Sequence, residues 1–212
     1  MSENGLLRRR AAISELGEAL RLLVEQATAT EVPTEEILRA AERIRQTAAP
    51  LGEQVRGRFD TATADDLLGG VRLYNPVTGA GSAFAPPAEM FHEGDLAVGT
   101  CTLGRAFEGP PSFAHGGVSA MLLDHMLGFA VSAAGHPGMT VRLDTHYRGP
   151  VPLYTPLRLT AAITAVDGRR VTATGTLATA GDPATPLVEA TGVFVALRAD
   201  QARRLFGPVL NG

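Results

Sequence analysis

The sequence predicts an α+β fold in which an antiparallel sheet curls round one long central helix, with a helical hairpin placed in front. Three observations predict it. Apolar residues recur at helical spacing in two stretches before residue 50, the period changes to two from residue 88, and one segment among the strands is apolar on every side.

Residues 6–28 set Ala12, Leu16, Ala19, Leu20 and Leu23 at helical spacing, and residues 34–48 repeat the pattern with Ile37, Leu38, Ala41 and Ile44. "ATATEVP" between them reads as a turn, with Thr34 as N-cap of the second helix and Glu35 four residues before Arg39. "DTATADD" at 60–66 and "NPVTGAGSAFAPP" at 75–87 are loops by their turn residues. "EMFH" and "LAVGTCTL" then flank Glu93-Gly94-Asp95 as a hairpin. The apolar helix follows and ends at "AAGHPG", where Gly135 suits the C-terminal cap and Pro137 blocks continuation.

Four strand-like runs complete the chain, at 139–148, 156–166, 169–179 and 187–197, and read as an antiparallel meander. Asp167-Gly168 between the second and third is a strong hairpin signal. In the first run Val141, Leu143, Thr145 and Tyr147 point one way while Arg142, Asp144, His146 and Arg148 point the other, so strict alternation puts Thr140 with Arg142. The strand order in sequence is β-β-α-β-β-β-β. The chain divides into a helical extension at 1–58 and a sheet-and-helix domain at 70–200.

Composition narrows the partner. With 19% charged residues and a net charge of -3, the chain offers neither a broad basic footprint for nucleic acid nor an acidic disordered tail. Every cation is Arg and none is Lys, a bias expected of a GC-rich bacterial genome. Cys101 is the only cysteine, which excludes an internal disulfide and a multi-cysteine metal cluster. Glu15 and Glu18 interrupt any apolar leader, and Asp124 and His125 interrupt the best candidate for a membrane span, so a cytoplasmic protein without a membrane partner is expected.

The segment "FAHGGVSAMLLDHMLGFAV" carries the chemistry. Gly116 and Gly117 at the mouth of the helix leave backbone N–H groups open to a ligand, and the helix dipole favours an oxygen that becomes negative there. An unpaired carboxylate inside an apolar helix is costly, so Asp124 is either paired structurally, with Arg142 or His146, or functional. His125 lies about 100° further round the helix and reads as a packed or interface histidine. From Gly116 or Gly117 to Asp124 is about 10–12 Å along the axis at about 1.5 Å per residue, too far for both to serve one carbonyl. If both act together, an antiparallel second copy must bring its Asp124 to the first copy's glycines, which predicts a two-fold dimer with shared active sites.

"FEGPPSFAHGGVSAMLLDHMLG" resembles the active-site segment of the hotdog-fold acyl-CoA thioesterases of the PaaI-like type, in which His-Gly-Gly opens the central helix and an acidic residue follows nine positions after the His, as Asp124 follows His115. "MTVRLDTHYRGPVPLYTPLRLTA" resembles the family's next strand, with Thr140 at its start, and the resemblance covers about residues 70–198. It implies a hotdog domain that hydrolyses acyl-CoA as a homodimer or dimer of dimers, without metal or redox cofactor. The Gly116 N–H polarises the thioester carbonyl, Asp124 of the partner copy acts as general base or nucleophile, Thr140 orients water, and His115 shapes the helix mouth beside Gly117. Some branches carry an Asn six residues before the His as a second carbonyl donor; here that position is Gly109. The same fold also hosts non-catalytic acyl-CoA sensors and dehydratases or hydratases, and the latter chemistry wants a His as base at a spacing that this sequence does not show. Arg105, Arg148 and Arg169 are available for the CoA phosphates, and the N-terminal helices form a cap on the sheet or a lid.

Overall fold

A computed structural model describes residues 2–66, 69–198 and 200–201. Two helices, α1 (Glu3–Ala29) and α2 (Thr34–Leu51), precede six strands, β1 (Glu89–Glu93), β2 (Leu96–Thr102), β3 (Met139–Tyr147), β4 (Pro156–Asp167), β5 (Arg170–Thr179) and β6 (Val188–Val195), with α3 (Gly116–Ala133) between β2 and β3. All pairings are antiparallel, in the order β1-β2-β4-β5-β6-β3. Residue 199 of the expected 70–200 domain lies outside the described residues.

The element order matches the hotdog expectation, and the meander is corrected. Of the four strands after α3, only β4, β5 and β6 run as neighbours in sequence order; β3 crosses to the far edge beside β6, and β2 takes the place next to β4. The connection 148–155 carries Pro150 and Pro152, which cannot close a tight hairpin, and it runs past the mouth of α3, where Val151 accepts the Ala114 N–H at 2.8 Å.

The core lies between α3 and one face of the sheet. Leu122, Leu123, Met126, Leu127, Ala130 and Val131 form the buried face of α3 at helical spacing. They meet Leu157, Leu159, Ala173, Leu177, Val188 and Phe194 from the sheet. By length and composition α3 is the one helix among the described residues that is long and apolar enough to cross a membrane; here it is the helix on which the sheet closes. Gly135 ends it at φ 81°, and Gly168 turns β4 into β5 at φ 55°, both in the region that disfavours a Cβ.

The helix α1 docks and α2 does not. Arg21 donates from one nitrogen to the Ala80 and Ser82 carbonyls at 2.7 and 2.8 Å, and Arg10 Nε to Ala64 at 2.8 Å. None of the residues of α2 is buried, so the two helices follow one another as expected without closing a packed hairpin face. The N-cap of α2 is Pro33, with Thr34 already inside the helix, and Arg39 pairs with Glu36 in place of the expected Glu35.

Candidate active site

The start of α3 is built from a loop pinned on both sides. The His115 N–H donates to Phe107 O at 2.9 Å and the Gly109 N–H to Phe113 O at 2.9 Å, which folds residues 107–115 back on themselves. A Cβ at position 109 would lie 2.7 Å from His115 Cα, so this loop has no room for the side-chain donor that some hotdog branches carry there.

His115 is the N-cap of α3. Its Nδ1 accepts the Gly117 N–H at 3.0 Å, a role that requires that nitrogen to be unprotonated. Val118 and Ser119 donate to the His115 carbonyl, and the Gly116 N–H has no protein acceptor among the described residues. The two glycines therefore differ: Gly117 spends its donor on the cap, and Gly116 keeps its donor free at the positive end of the helix dipole. Tyr147, at the end of β3, closes over this point; its Oη donates to the Gly116 carbonyl at 2.9 Å, and a Cβ on Gly116 would meet its ring at 3.3 Å.

Asp124 lies in the middle of α3 on a face that the sheet leaves partly open. It pairs with neither structural candidate. Arg142 Nε binds Asp144 at 2.7 Å, and His146 lines a separate cavity on the outer sheet face. Asp124 Oδ1 instead accepts the hydroxyl of Thr140 at 2.9 Å. Strict alternation would have pointed Thr140 away. The pairing of β3 with β6 shifts register between Thr140 and Arg142, leaving Val141 as an extra residue, and this bulge turns Thr140 to the inner face opposite Phe194.

A cavity of about 550 Å³ opens beside Asp124 and Thr140. Met90, Phe129 and Phe194 give it apolar walls, and Arg72, Asn75 and Thr78 from the loop before β1 give it a polar one. His125 also faces it; burial pushes the imidazole pKa down, with Arg72 adding to the effect and Asp124 opposing it. Among the described residues no group of three His, Cys, Asp or Glu side chains is placed to hold a metal ion.

Sequence reasoning missed three contributors. Tyr147 was legible only as an inward residue of its strand. Arg72 reaches the cavity wall from the loop before β1, and the Glu25 carboxylate of α1, which accepts the Tyr154 hydroxyl and, at 3.0 Å, the Arg105 N–H, braces from outside the cavity the loop that leads to His115. Of the available arginines, Arg148 is held by Glu189 at 2.7 Å and Arg169 donates to the Ala196 carbonyl at 2.8 Å.

One helix wrapped by a six-stranded antiparallel sheet, with a free N–H at the helix mouth and an acidic residue further along, defines a hotdog protein of the thioesterase class. The thioesterase superfamily model matches residues 112–184. A thioesterase superfamily protein of known crystal structure is 36% identical and superposes with a TM-score of 0.76 over 86% of this chain and 94% of its own. The chain belongs to the thioesterase superfamily. It is also 31% identical over 94 residues to the acyl-coenzyme A thioesterase THEM4 of Xenopus laevis, covering 44% of this chain and 42% of that protein. The mouse THEM4 is 30% identical over 94 residues, covering 44% and 40%. The chain thus spans less than half the length of the curated relatives it matches.

Proposed function

We propose that this protein hydrolyses acyl-CoA thioesters to the free acid and CoA. The observation that carries the reading is the Thr140–Asp124 pair at a cavity, combined with a free Gly116 N–H at the mouth of the same helix. The spacing supports a shared site: Gly116 and Asp124 stand about 12 Å apart along α3, so an antiparallel second copy brings each Asp124 to the other's Gly116. The edge position of β3, with no strand beyond it among the described residues, supports a homodimer formed along that side.

In this reading Thr140 holds Oδ1 of Asp124 and leaves Oδ2 to take a proton from water, whose oxygen attacks the thioester carbonyl carbon. The carbonyl oxygen gains negative charge against the Gly116 N–H of the partner copy. Collapse breaks the C–S bond, and the proton on Asp124 passes to the departing CoA thiolate. A single oxyanion donor is worth about 10²- to 10³-fold, so Asp124 must supply a comparable share. Direct attack by Asp124 gives the same products through an anhydride; label found in Asp124 after one turnover in ¹⁸O-water identifies that route, because water that opens the anhydride at the aspartyl carbon leaves its oxygen there.

The test is free-thiol release from acetyl-, phenylacetyl-, hydroxybenzoyl- and long-chain acyl-CoA by wild type and Asp124→Ala, each confirmed folded. Release that collapses in the variant supports the reading. Release that survives intact in the variant overturns the role of Asp124, and no release from any thioester by wild type favours an acyl-CoA-binding protein.

A further inference from the structure

The cavity beside Asp124 holds one permanent cation. Arg72 lies on its polar wall, its side chain largely exposed and bordering the neighbouring cavity beside Asp65 as well, while burial shifts His125 toward its neutral form. Arg72 does not pair with Asp124; its neighbour is Asp65, whose Oδ2 stands 3.9 Å from Nε. That is a long contact on the inner side of the guanidinium, and it leaves the two terminal nitrogens without a carboxylate. The backbone beneath is fixed: Asp66 and Val71 exchange both N–H···O bonds at 2.9 and 2.7 Å, and the Leu73 N–H donates to Asp65 Oδ1 at 2.9 Å. Asn75 and Thr78 follow on the same wall, and the Asn75 side-chain oxygen is spent on the Val77 and Thr78 N–H groups, so what its amide has left to offer is donors.

A guanidinium with free donors, next to an amide and across apolar walls from the reacting carboxylate, suits a ligand with an apolar middle and an anionic end. We propose that Arg72 reads the acyl group, and that the preferred substrates are thioesters whose acyl chain ends in a carboxylate, such as glutaryl-CoA. The methylenes lie against Met90, Phe129 and Phe194, and the terminal carboxylate meets Arg72. Arg72 lies in the loop before β1, outside the segment that the thioesterase model matches.

The inference rests on the thioester-hydrolase reading, and the experiment separates the two. Glutaryl-CoA and the uncharged pentanoyl-CoA are compared by kcat/KM and by the rise in melting temperature each gives, for wild type, Arg72→Gln and Arg72→Lys. Wild type is expected to prefer glutaryl-CoA, with the glutaryl-to-pentanoyl ratio falling about tenfold or more in Arg72→Gln and partly restored in Arg72→Lys. Wild type without that preference, or a ratio unchanged in Arg72→Gln, overturns the inference; equal losses on both thioesters would place Arg72 on the CoA moiety instead. No thiol release from either thioester overturns the hydrolase reading, and the inference is then decided by the melting shifts: equal shifts from the two thioesters overturn it, and a larger glutaryl shift lost in Arg72→Gln upholds it.

Discussion

Thr140 donates its hydroxyl to Asp124 Oδ1 at 2.9 Å, joining the first residues of β3 to the middle of α3 across 16 positions of sequence. The bond engages one carboxylate oxygen of a residue that lines the cavity, and the other oxygen has no hydrogen-bond partner among the described residues. Asp124→Asn is expected to lower kcat by about 10²- to 10⁴-fold, the range of a lost general base, with little change in melting temperature because the residue is not in the core. Thr140→Val removes about 1 kcal/mol of orientation and is expected to cost five- to tenfold in kcat. A Thr140→Val loss as large as that of Asp124→Asn would show that the threonine takes part in proton transfer itself.

Gly116 and Tyr147 make a second pair that activity measurements resolve. Gly116→Ala pushes a methyl group to 3.3 Å from the Tyr147 ring at the free donor, so turnover is expected to fall by an order of magnitude or more while the fold persists. Tyr147→Phe keeps the ring and loses only the bond to the Gly116 carbonyl, about 1 kcal/mol, measurable as a lower denaturant midpoint.

The half-buried His125 makes stability depend on pH. Its folded pKa lies below the ordinary 6.5, chiefly through burial, so the unfolded chain takes up its proton first as pH falls. Stability is therefore fully retained above about pH 6.5 and declines below it, toward the lowered folded value. Melting curves at about pH 7.5 and about pH 5.5 are expected to show a smaller acid loss for His125→Gln than for wild type. The same loss in both proteins would assign the pH dependence elsewhere.

Cys101 is predicted to be inert in the folded protein. Burial pushes its thiol up to about 11, so almost no thiolate exists at neutral pH. An aromatic disulfide reagent at neutral pH is expected to label no thiol in the native chain and one per chain in denaturant. Rapid native labelling would show that β2 opens.

Glu25 ties α1 to the loop that leads into the site. Its carboxylate accepts from Arg105 N and Tyr154 Oη, and that loop continues through Phe107 to the His115 bond. Glu25→Ala is expected to lower the melting temperature by about 2–4 °C, from a loss of about 1 kcal/mol, and to raise protease cutting after α1. Glu25→Gln keeps an acceptor for one of the two donors and is expected to fall between.

The sequence by itself determined the elements and their order, because periodicity and turn residues act over a few positions: the apolar faces of α1 and α3, the positive-φ glycines at 135 and 168, and the four strands after α3 are all local statements. It also determined the candidate pair of Gly116 and Asp124, since helical rise converts spacing into distance. Which strands became neighbours was decided only in three dimensions. The placement of β3 beside β6 depends on a connection that cannot turn tightly, and α2 carries an apolar stripe of which no residue is buried. The direction of Thr140 was decided by one unpaired residue, Val141, because the side-chain period of a strand is two and a single insertion reverses it. The same holds for Arg72 and Glu25: Arg72 meets Asp124 and His125 at one cavity, and Glu25 binds Arg105 and Tyr154, contacts that only the closed fold brings together.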